Sequence, residues 1–98
     1  MEKACRVSAQ ECRMSGVDWT FSPMIDVSRD PRWGRVAEGY GEDPYANGVF
    51  AKASVKGYQG ANLANGMSVA ACLKHYVGYG ASEAGRDYVY TEISRQTL

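Results

Sequence analysis

The first hydrophobic pattern along the chain has the spacing of an amphipathic helix. Within residues 2–15, Cys5, Ala9 and Cys12 recur at i, i+4 and i+7, and polar or charged side chains occupy most of the other positions. Gly16 follows, where a helix stop is expected. No capping residue comes before this pattern, so we expect the helix to begin inside a longer element.

The next pattern alternates, as in a β-strand with one apolar and one polar face. Val17, Trp19 and Phe21 are separated by single polar residues within the segment 17–22. Pro23 is expected to end this strand, because proline cannot donate to a sheet ladder. The following residues, up to position 44, show no periodicity and are predicted to form a long loop.

A helix, a strand and a further helix start are predicted in the rest of the chain. Asp43 suits an N-cap and Pro44 suits the first helical position, so a helix is expected over residues 45–58. The apolar run 68–75, SVAACLKH, is typical of a strand buried on both faces of a parallel sheet. A glycine-rich loop follows it, and residues 91–94 have the composition of another helix start.

The predicted order is therefore helix, strand, long loop, helix, strand, long loop, helix. Such alternation predicts an α/β fold with βα units and a parallel sheet. Two strands cannot close a barrel, so we expect the chain to be part of a larger domain. Both long loops follow the C-terminal ends of predicted strands, which is the edge that carries the chemistry in βα architectures.

Composition and charge exclude several classes of function. The chain is 45% hydrophobic, which predicts a folded protein rather than a disordered one. Its 11 basic and 11 acidic residues cancel, with no basic cluster, so binding to nucleic acid or to an anionic membrane is not expected. No apolar run approaches the roughly 20 residues of a membrane span, and the first residues lack the apolar core of a signal peptide.

Neither cysteine nor glycine spacing predicts a metal or a nucleotide cofactor. The glycines Gly78, Gly80 and Gly85 do not form a dinucleotide-binding fingerprint between a strand and a helix. The cysteines are odd in number and lack metal-ligand spacing. We expect them to be small buried hydrophobes rather than a disulfide framework or a zinc site. They are Cys5, Cys12 and Cys72.

Lys74 and His75, the only histidine, stand together at the end of the second predicted strand. A charged pair there is costly to bury unless a polar or anionic group meets it. From the pattern alone, emergence into solvent and contact with a ligand are equally good interpretations. Neighbours on a strand point to opposite faces, so a shared pocket requires the backbone to leave regular geometry at this point.

The loop segment 29–44, RDPRWGRVAEGYGEDP, carries seven charged residues around a tryptophan and a tyrosine. Arg35 follows Gly34, and its planar guanidinium suits paired hydroxyls or a carboxylate. Glu38 lies within reach of Arg35 or Lys74. For most of these charges we favour an ion network that fixes the loop, with Arg29, Asp30, Arg32, Arg35, Glu38 and Glu42 as its members. Further along, Arg86 and Asp87 are expected to form a loop salt bridge.

Three segments in this order closely resemble the N-terminal catalytic domain of glycoside hydrolase family 3, the β-glucosidase and β-xylosidase family. They are DPRWGRVAEGYGEDPY (30–45), VKGYQG (55–60) and AACLKHYVGYGASEAGRDY (70–88). The resemblance implies a (β/α)8 TIM barrel, of which residues 1–98 form an interior fragment, since a complete barrel has about 250 residues.

The resemblance also implies a retaining, exo-acting β-glycosidase that hydrolyses terminal non-reducing β-D-glucosyl residues. The nucleophile and the acid/base of the family lie outside these residues, so the chain is expected to contain no catalytic residue and to be inactive alone. Arg35, Lys74 and His75 match family positions that hydrogen-bond the sugar in the −1 subsite. Glu38 matches a residue expected to orient Arg35 or the Lys-His pair. No metal and no cofactor are implied.

Alternatives remain at this point. The family branch that cleaves N-acetylglucosaminides has a catalytic histidine in the loop that reads GRDYVY here, which argues against that branch. The alternatives are a β-xylosidase of the same family, a non-catalytic carbohydrate-binding or structural remnant, and an unrelated βα-barrel enzyme. The expected partners are a β-glucoside or oligosaccharide, the rest of the barrel and the following domain. The sequence does not determine the compartment, although a periplasmic or secreted parent is compatible with the family.

Overall fold

The computed structural model describes all 98 residues. Its two α-helices are α1 (Glu2–Met14) and α2 (Pro44–Gln59). Four short 3-10 helices lie at Gly34–Glu38, Leu63–Asn65, Tyr79–Ala81 and Glu83–Gly85. Extended segments pair only through two isolated parallel bridges, and no regular strand forms. Neither α-helix has the length and apolar character needed to cross a membrane.

The chain divides into two compact units, and the division falls within α2. The first, which we call the helical unit, comprises Met1–Pro23 and Val49–Leu73. The second, which we call the loop unit, comprises Met24–Gly48 and Lys74–Leu98.

In the helical unit, α1 begins at the predicted residue and ends at Met14, one residue short of the predicted end. Cys5 and Ala9 are buried, as their spacing predicted. Gly57 of α2 lies directly against α1, because a Cβ atom added at Gly57 would be 2.5 Å from the Cβ of Cys5 and 2.5 Å from the carbonyl oxygen of Glu2. Only glycine permits so close an approach. The three cysteines are free thiols, although only Cys5 is fully buried.

The two predicted strands run parallel in the helical unit, but each pairs along one edge only. Trp19 and Ala70 form a parallel bridge. The Thr20 amide donates to the carbonyl of Ala70, the Ala70 amide to that of Asp18 and the Cys72 amide to that of Ser22, at 2.8–2.9 Å. With no further neighbour, the ladder does not extend into regular strands. The prediction of strands over 17–22 and 68–75 is therefore only partly met.

Exposure of the apolar side chains departs from the predicted burial. Val69 is fully buried, but Leu73 is 55% exposed, so the second segment is not covered on both faces within this chain. The apolar face of the first segment is also open, with Trp19 57% and Phe21 63% exposed. A parallel sheet is normally covered on both faces by helices, and two α-helices do not provide that cover here.

The loop unit contains the start of α2 and the longest irregular segments. The Asp43 carboxylate accepts a hydrogen bond from the Tyr45 amide at 2.9 Å, which confirms the predicted cap. Met24 and Lys74 form the second parallel bridge. The helix start predicted at residues 91–94 is met only as one turn that begins at Ser94, where the Thr97 amide donates to the Ser94 hydroxyl and carbonyl and the Leu98 amide donates to the same carbonyl.

Candidate active site

Arg35 and Glu38 form an ion pair on the short 3-10 helix Gly34–Glu38 of the loop unit. In a 3-10 helix, side chains three residues apart lie directly above one another. The Nε and Nη2 atoms of Arg35 donate to the two carboxylate oxygens of Glu38 at 2.8 Å each. This bidentate hydrogen bonding raises the pKa of Arg35 and lowers the pKa of Glu38. Glu38 therefore fixes the plane of the guanidinium and leaves Nη1 for another partner.

That other partner is His75. The Nη1 atom of Arg35 lies 3.3 Å from Nε2 of His75. Arginine can only donate, so Nε2 must accept. On the opposite side of the ring, Nδ1 of His75 lies 2.7 Å from the Oδ2 atom of Asp26. The structure thus joins Asp26, His75, Arg35 and Glu38 in one continuous chain of hydrogen bonds.

Lys74 stands beside this chain of hydrogen bonds. Its charge contributes to lowering the pKa of Glu38, although the contribution of Arg35 is larger. Its carbonyl accepts from the Ile25 amide at 2.8 Å, which fixes the backbone at the bridge with Met24. The peptide bond between Lys74 and His75 is cis.

Tyr79 provides an aromatic wall for the same cluster. Its ring meets the His75 ring edge to face, with centroids 4.7 Å apart and planes at 87°. The Cζ atom of Arg35 lies 5.5 Å from the centroid of the Tyr79 ring, within the range of a cation–π contact. The aromatic ring therefore contacts Arg35 and His75, two of the three side chains predicted to bind the ligand.

Asp87 anchors this aromatic wall instead of pairing with Arg86. Its Oδ1 atom accepts hydrogen bonds from the Tyr79 hydroxyl and, at 3.3 Å, from the Trp33 indole. The bond from Tyr79 is the largest cause of the lowered pKa of Asp87, and it also raises the pKa of Tyr79. The predicted salt bridge between Arg86 and Asp87 is wrong, because two neutral donors already satisfy the carboxylate.

The predicted ion network of the 29–44 loop is present only as two separate pairs. Asp30 and Arg32 form one pair, with their closest atoms 2.7 Å apart, and this pairing lowers the pKa of Asp30 to about 2. Arg35 and Glu38 form the other. Arg29 and Glu42 take part in no ion pair of the structure. Local pairing satisfies four of the six charges, so a continuous network is not formed.

Four residues of this cluster were not predicted from the sequence to belong to a site, namely Asp26, Trp33, Tyr79 and Asp87. A carboxylate between apolar neighbours, as in MIDV, was the available signal for Asp26. Trp33 is 1% exposed, which explains why a tryptophan stands in so charged a segment. No local pattern marked Tyr79 or Asp87, because the contacts that join them to the rest of the cluster include distant ones, such as Trp33 with Asp87, 54 residues apart.

Gly80 allows the turn that carries Tyr79 to lie directly on the Asp26 segment. A Cβ atom added at Gly80 would lie 2.4 Å from the carbonyl oxygen of Val27 and 3.2 Å from the Cβ of Asp26. The Gly80 carbonyl accepts from the Arg29 amide at 2.9 Å. This close approach is what brings the aromatic wall and the His75 anchor together.

Chemically, the cluster is suited to binding a polar ligand. Arg35 and Lys74 supply charged donors, and Nε2 of His75 is an acceptor for the donor that lies against it, which is Arg35 in this structure. The carboxylates of Asp26, Glu38 and Asp87 are all engaged with neighbouring donors. Alternating donors and an acceptor beside an aromatic ring match a ligand that carries several hydroxyl groups.

Glu38→Gln should lower kcat/KM by roughly threefold to tenfold in an enzyme that contains this chain, because the bidentate, charge-assisted pair with Arg35 is lost. The hydrogen bond with Arg35 lowers the pKa of Glu38 from its usual value of 4.5. The pairing of the ionised Glu38 carboxylate with Arg35 is therefore fully present above pH 4.5, and it is lost as the pH falls through the lowered pKa. We therefore expect the parent-to-variant ratio to stay constant between about pH 5 and 8. Initial rates at several pH values check this, and a ratio that changes with pH across that range contradicts it.

Known proteins resemble this chain over nearly its whole length. The model of the glycosyl hydrolase family 3 N-terminal domain matches residues 1–98. A periplasmic beta-glucosidase of Salmonella typhimurium is 46% identical over 93 residues, which cover 95% of this chain and 12% of that protein. A putative beta-xylosidase of Formosa agariphila is 38% identical over 94 residues, which cover 94% of this chain and 12% of that protein.

A solved structure of a beta-glucosidase also resembles this chain. A beta-glucosidase from Listeria innocua in complex with laminaribiose superposes with a TM-score of 0.93 at 46% identity, over 97% of this chain and 14% of that one. The chain therefore spans about an eighth of the length of the relatives it matches. The likeness is consistent with the predicted α/β barrel fold, whereas the predicted order of strands and helices stays a prediction.

Proposed function

We propose that this chain, which belongs to glycosyl hydrolase family 3, forms the sugar-binding wall of a retaining, exo-acting β-glucosidase. On this proposal residues 1–98 are an interior part of the N-terminal barrel domain. The nucleophile and the acid/base come from other parts of the enzyme, and the chain alone is inactive. The substrate is a β-glucoside or an oligosaccharide with a terminal β-D-glucosyl residue.

The observation that carries the proposal is the convergence of Arg35, Lys74 and His75 in the loop unit. Glycoside hydrolysis passes through an oxocarbenium-like transition state, and hydrogen bonds to ring hydroxyls that tighten there lower the barrier. Charged donors make stronger hydrogen bonds than neutral ones. Arg35 and Lys74 donate to hydroxyls of the −1 sugar, and His75 completes the set.

Glu38 acts on the sugar indirectly on this proposal. Its two bonds to Arg35 fix the direction in which the remaining guanidinium nitrogen points. Preorganised donors contribute more to catalysis than mobile ones, because no reorganisation is needed during the reaction. Tyr79 supports the same arrangement from the side through its contacts with Arg35 and His75.

β-Xylosidase activity is the second candidate, because relatives with that name match this chain as well. A β-glucosidase is favoured because the 46% identical Salmonella protein and the Listeria structure both carry that name. The Salmonella relative is also named as periplasmic, so we propose a periplasmic or secreted parent enzyme.

An exchange experiment tests the proposal. Residues 1–98 replace the matching segment of the Listeria innocua beta-glucosidase. The chimera should hydrolyse 4-nitrophenyl β-D-glucoside at least about tenfold more efficiently, in kcat/KM, than the β-D-xyloside, because one hydroxymethyl group and its contacts are worth about 1–3 kcal/mol.

The unexchanged Listeria enzyme is the positive control, and thermal unfolding of the chimera shows whether it is folded. A folded chimera that hydrolyses neither glycoside contradicts the proposal and supports a non-catalytic remnant. A folded chimera that prefers the xyloside supports the second candidate.

A further inference from the structure

We propose that Asp26 is a positioning residue that fixes the orientation and the tautomer of His75, so that Nε2 of His75 acts as a hydrogen-bond acceptor for a sugar hydroxyl. The inference rests on the proposed function, since it concerns the same sugar site. It assigns a role to a carboxylate outside the set of Arg35, Lys74, His75 and Glu38.

Asp26 holds His75 at two points with a single oxygen atom. Its Oδ2 atom accepts from the backbone amide of His75 at 3.0 Å and from Nδ1 of the ring at 2.7 Å. The Asp26 side chain is only 2% exposed. A carboxylate buried to this degree is costly unless it is hydrogen-bonded, and both of these bonds come from one residue. Asp26 therefore ties the ring of His75 to its own backbone.

The tautomer of His75 follows from its two neighbours independently. An ionised carboxylate only accepts, so the hydrogen of the neutral ring lies on Nδ1, facing Asp26. Arginine only donates, so the Nε2 atom, 3.3 Å from Nη1 of Arg35, carries the lone pair. Both contacts require the same tautomer, and Asp26 is the one that is shielded from solvent.

This tautomer determines how a bound sugar hydroxyl is oriented between its donor and its acceptor. A sugar hydroxyl has one hydrogen to donate and two lone pairs that accept. A hydroxyl that replaces the direct contact between Arg35 and His75 donates to Nε2 and accepts from the guanidinium, so both needs are met at once. The opposite tautomer would present a hydrogen on Nε2 toward Arg35, which is itself a donor, and this arrangement would leave the hydroxyl's hydrogen without a partner.

The experiment is a double-mutant cycle in the chimera described above or in a full-length enzyme that contains this chain. Asp26→Leu should lower kcat/KM at least about thirtyfold, by analogy with the loss of one positioned hydrogen-bond donor. In the His75→Ala background the same change should lower kcat/KM less than about threefold, because a residue that acts through His75 has nothing left to position.

Asp26→Asn gives a second measurement that does not depend on the tolerance of the fold for leucine. The amide oxygen of asparagine can still accept from both N–H groups of His75, so we expect a loss of only about threefold to tenfold, which disappears in the His75→Ala background. Asp30→Asn is the matched control. Asp30 lies in the same segment but pairs only with Arg32, so its change should leave kcat/KM within about twofold of the parent.

Equal effects of the Asp26 changes in both backgrounds would show that Asp26 merely holds the loop, and parental kcat/KM in both Asp26 variants would remove any role. Either outcome overturns the proposal. Lys74→Ala separates this failure from failure of the proposed function. If Lys74→Ala abolishes activity while Asp26 has no coupling to His75, the sugar site stands and only the positioning role fails.

Discussion

Lys74→Ala should lower kcat/KM for a β-glucoside by roughly 30- to 900-fold in a full-length enzyme that contains this chain, with the fold intact. The estimate corresponds to a loss of about 2–4 kcal/mol of transition-state binding, by analogy with other positioned donors. Lys74 is suited to so large an effect because its ammonium forms no hydrogen bond or ion pair within the chain. Steady-state kinetics with 4-nitrophenyl β-D-glucoside measure the loss.

The division of this loss between kcat and KM reports when the contact forms. A fall in kcat with little change in KM indicates a bond that strengthens in the transition state, whereas a rise in KM alone indicates uniform binding. Lys52→Ala is the matched control, since Lys52 is an exposed lysine on α2. Lys74→Met retains most of the aliphatic stem and separates loss of charge from loss of packing. Near-parental kinetics for Lys74→Ala would contradict the assignment of Lys74 to the sugar site.

Contacts in this site were predictable from the sequence where the interacting residues are close along the chain. Arg35 and Glu38 are three residues apart, and a single turn of 3-10 helix is enough to pair them. Asp43 and Pro44 likewise predicted the start of α2, because a cap satisfies backbone groups one or two residues away. Local rules are sufficient for such contacts.

Long-range contacts explain what the sequence did not reveal. His75 is 49 residues from Asp26, and Trp33 is 54 residues from Asp87. Nothing in the immediate surroundings of Asp87 distinguishes a partner of Tyr79 from a partner of Arg86. Only the close approach at Gly80 brings the aromatic wall to the Asp26 segment, and backbone proximity of that kind depends on the whole loop unit.

The alternating pattern of residues 17–22 was sound evidence for pairing but not for burial. It correctly indicated an extended segment, and the hydrogen bonds with Ala70 and Cys72 are those of two parallel segments. A strand becomes regular only when its ladder continues and its faces are covered. Each segment here has one paired edge, so the pattern describes an environment that this chain does not provide by itself.

Expressed alone, the chain should show no cooperative thermal unfolding and no hydrolysis of β-glucosides. Its buried apolar set is small, and among these residues only Met24, Trp33 and Val69 are larger than alanine or cysteine. Trp19, Phe21 and Leu73 are each more than half exposed, beside unpaired strand edges. A chain of this length buries a smaller share of its surface than a complete barrel domain, and its open edges can pair with other copies.

Calorimetry and light scattering of the purified chain test this expectation, with the Listeria chimera as the folded control. We expect a broad or absent transition for the isolated chain, self-association that increases with concentration, and a sharp transition for the chimera. The contrast isolates the cause, because both proteins contain the same 98 residues and only the chimera has further barrel segments that would cover Trp19, Phe21 and Leu73. A monomer with a sharp melt would refute the expectation, because the exposed apolar face would then be compatible with a stable fold.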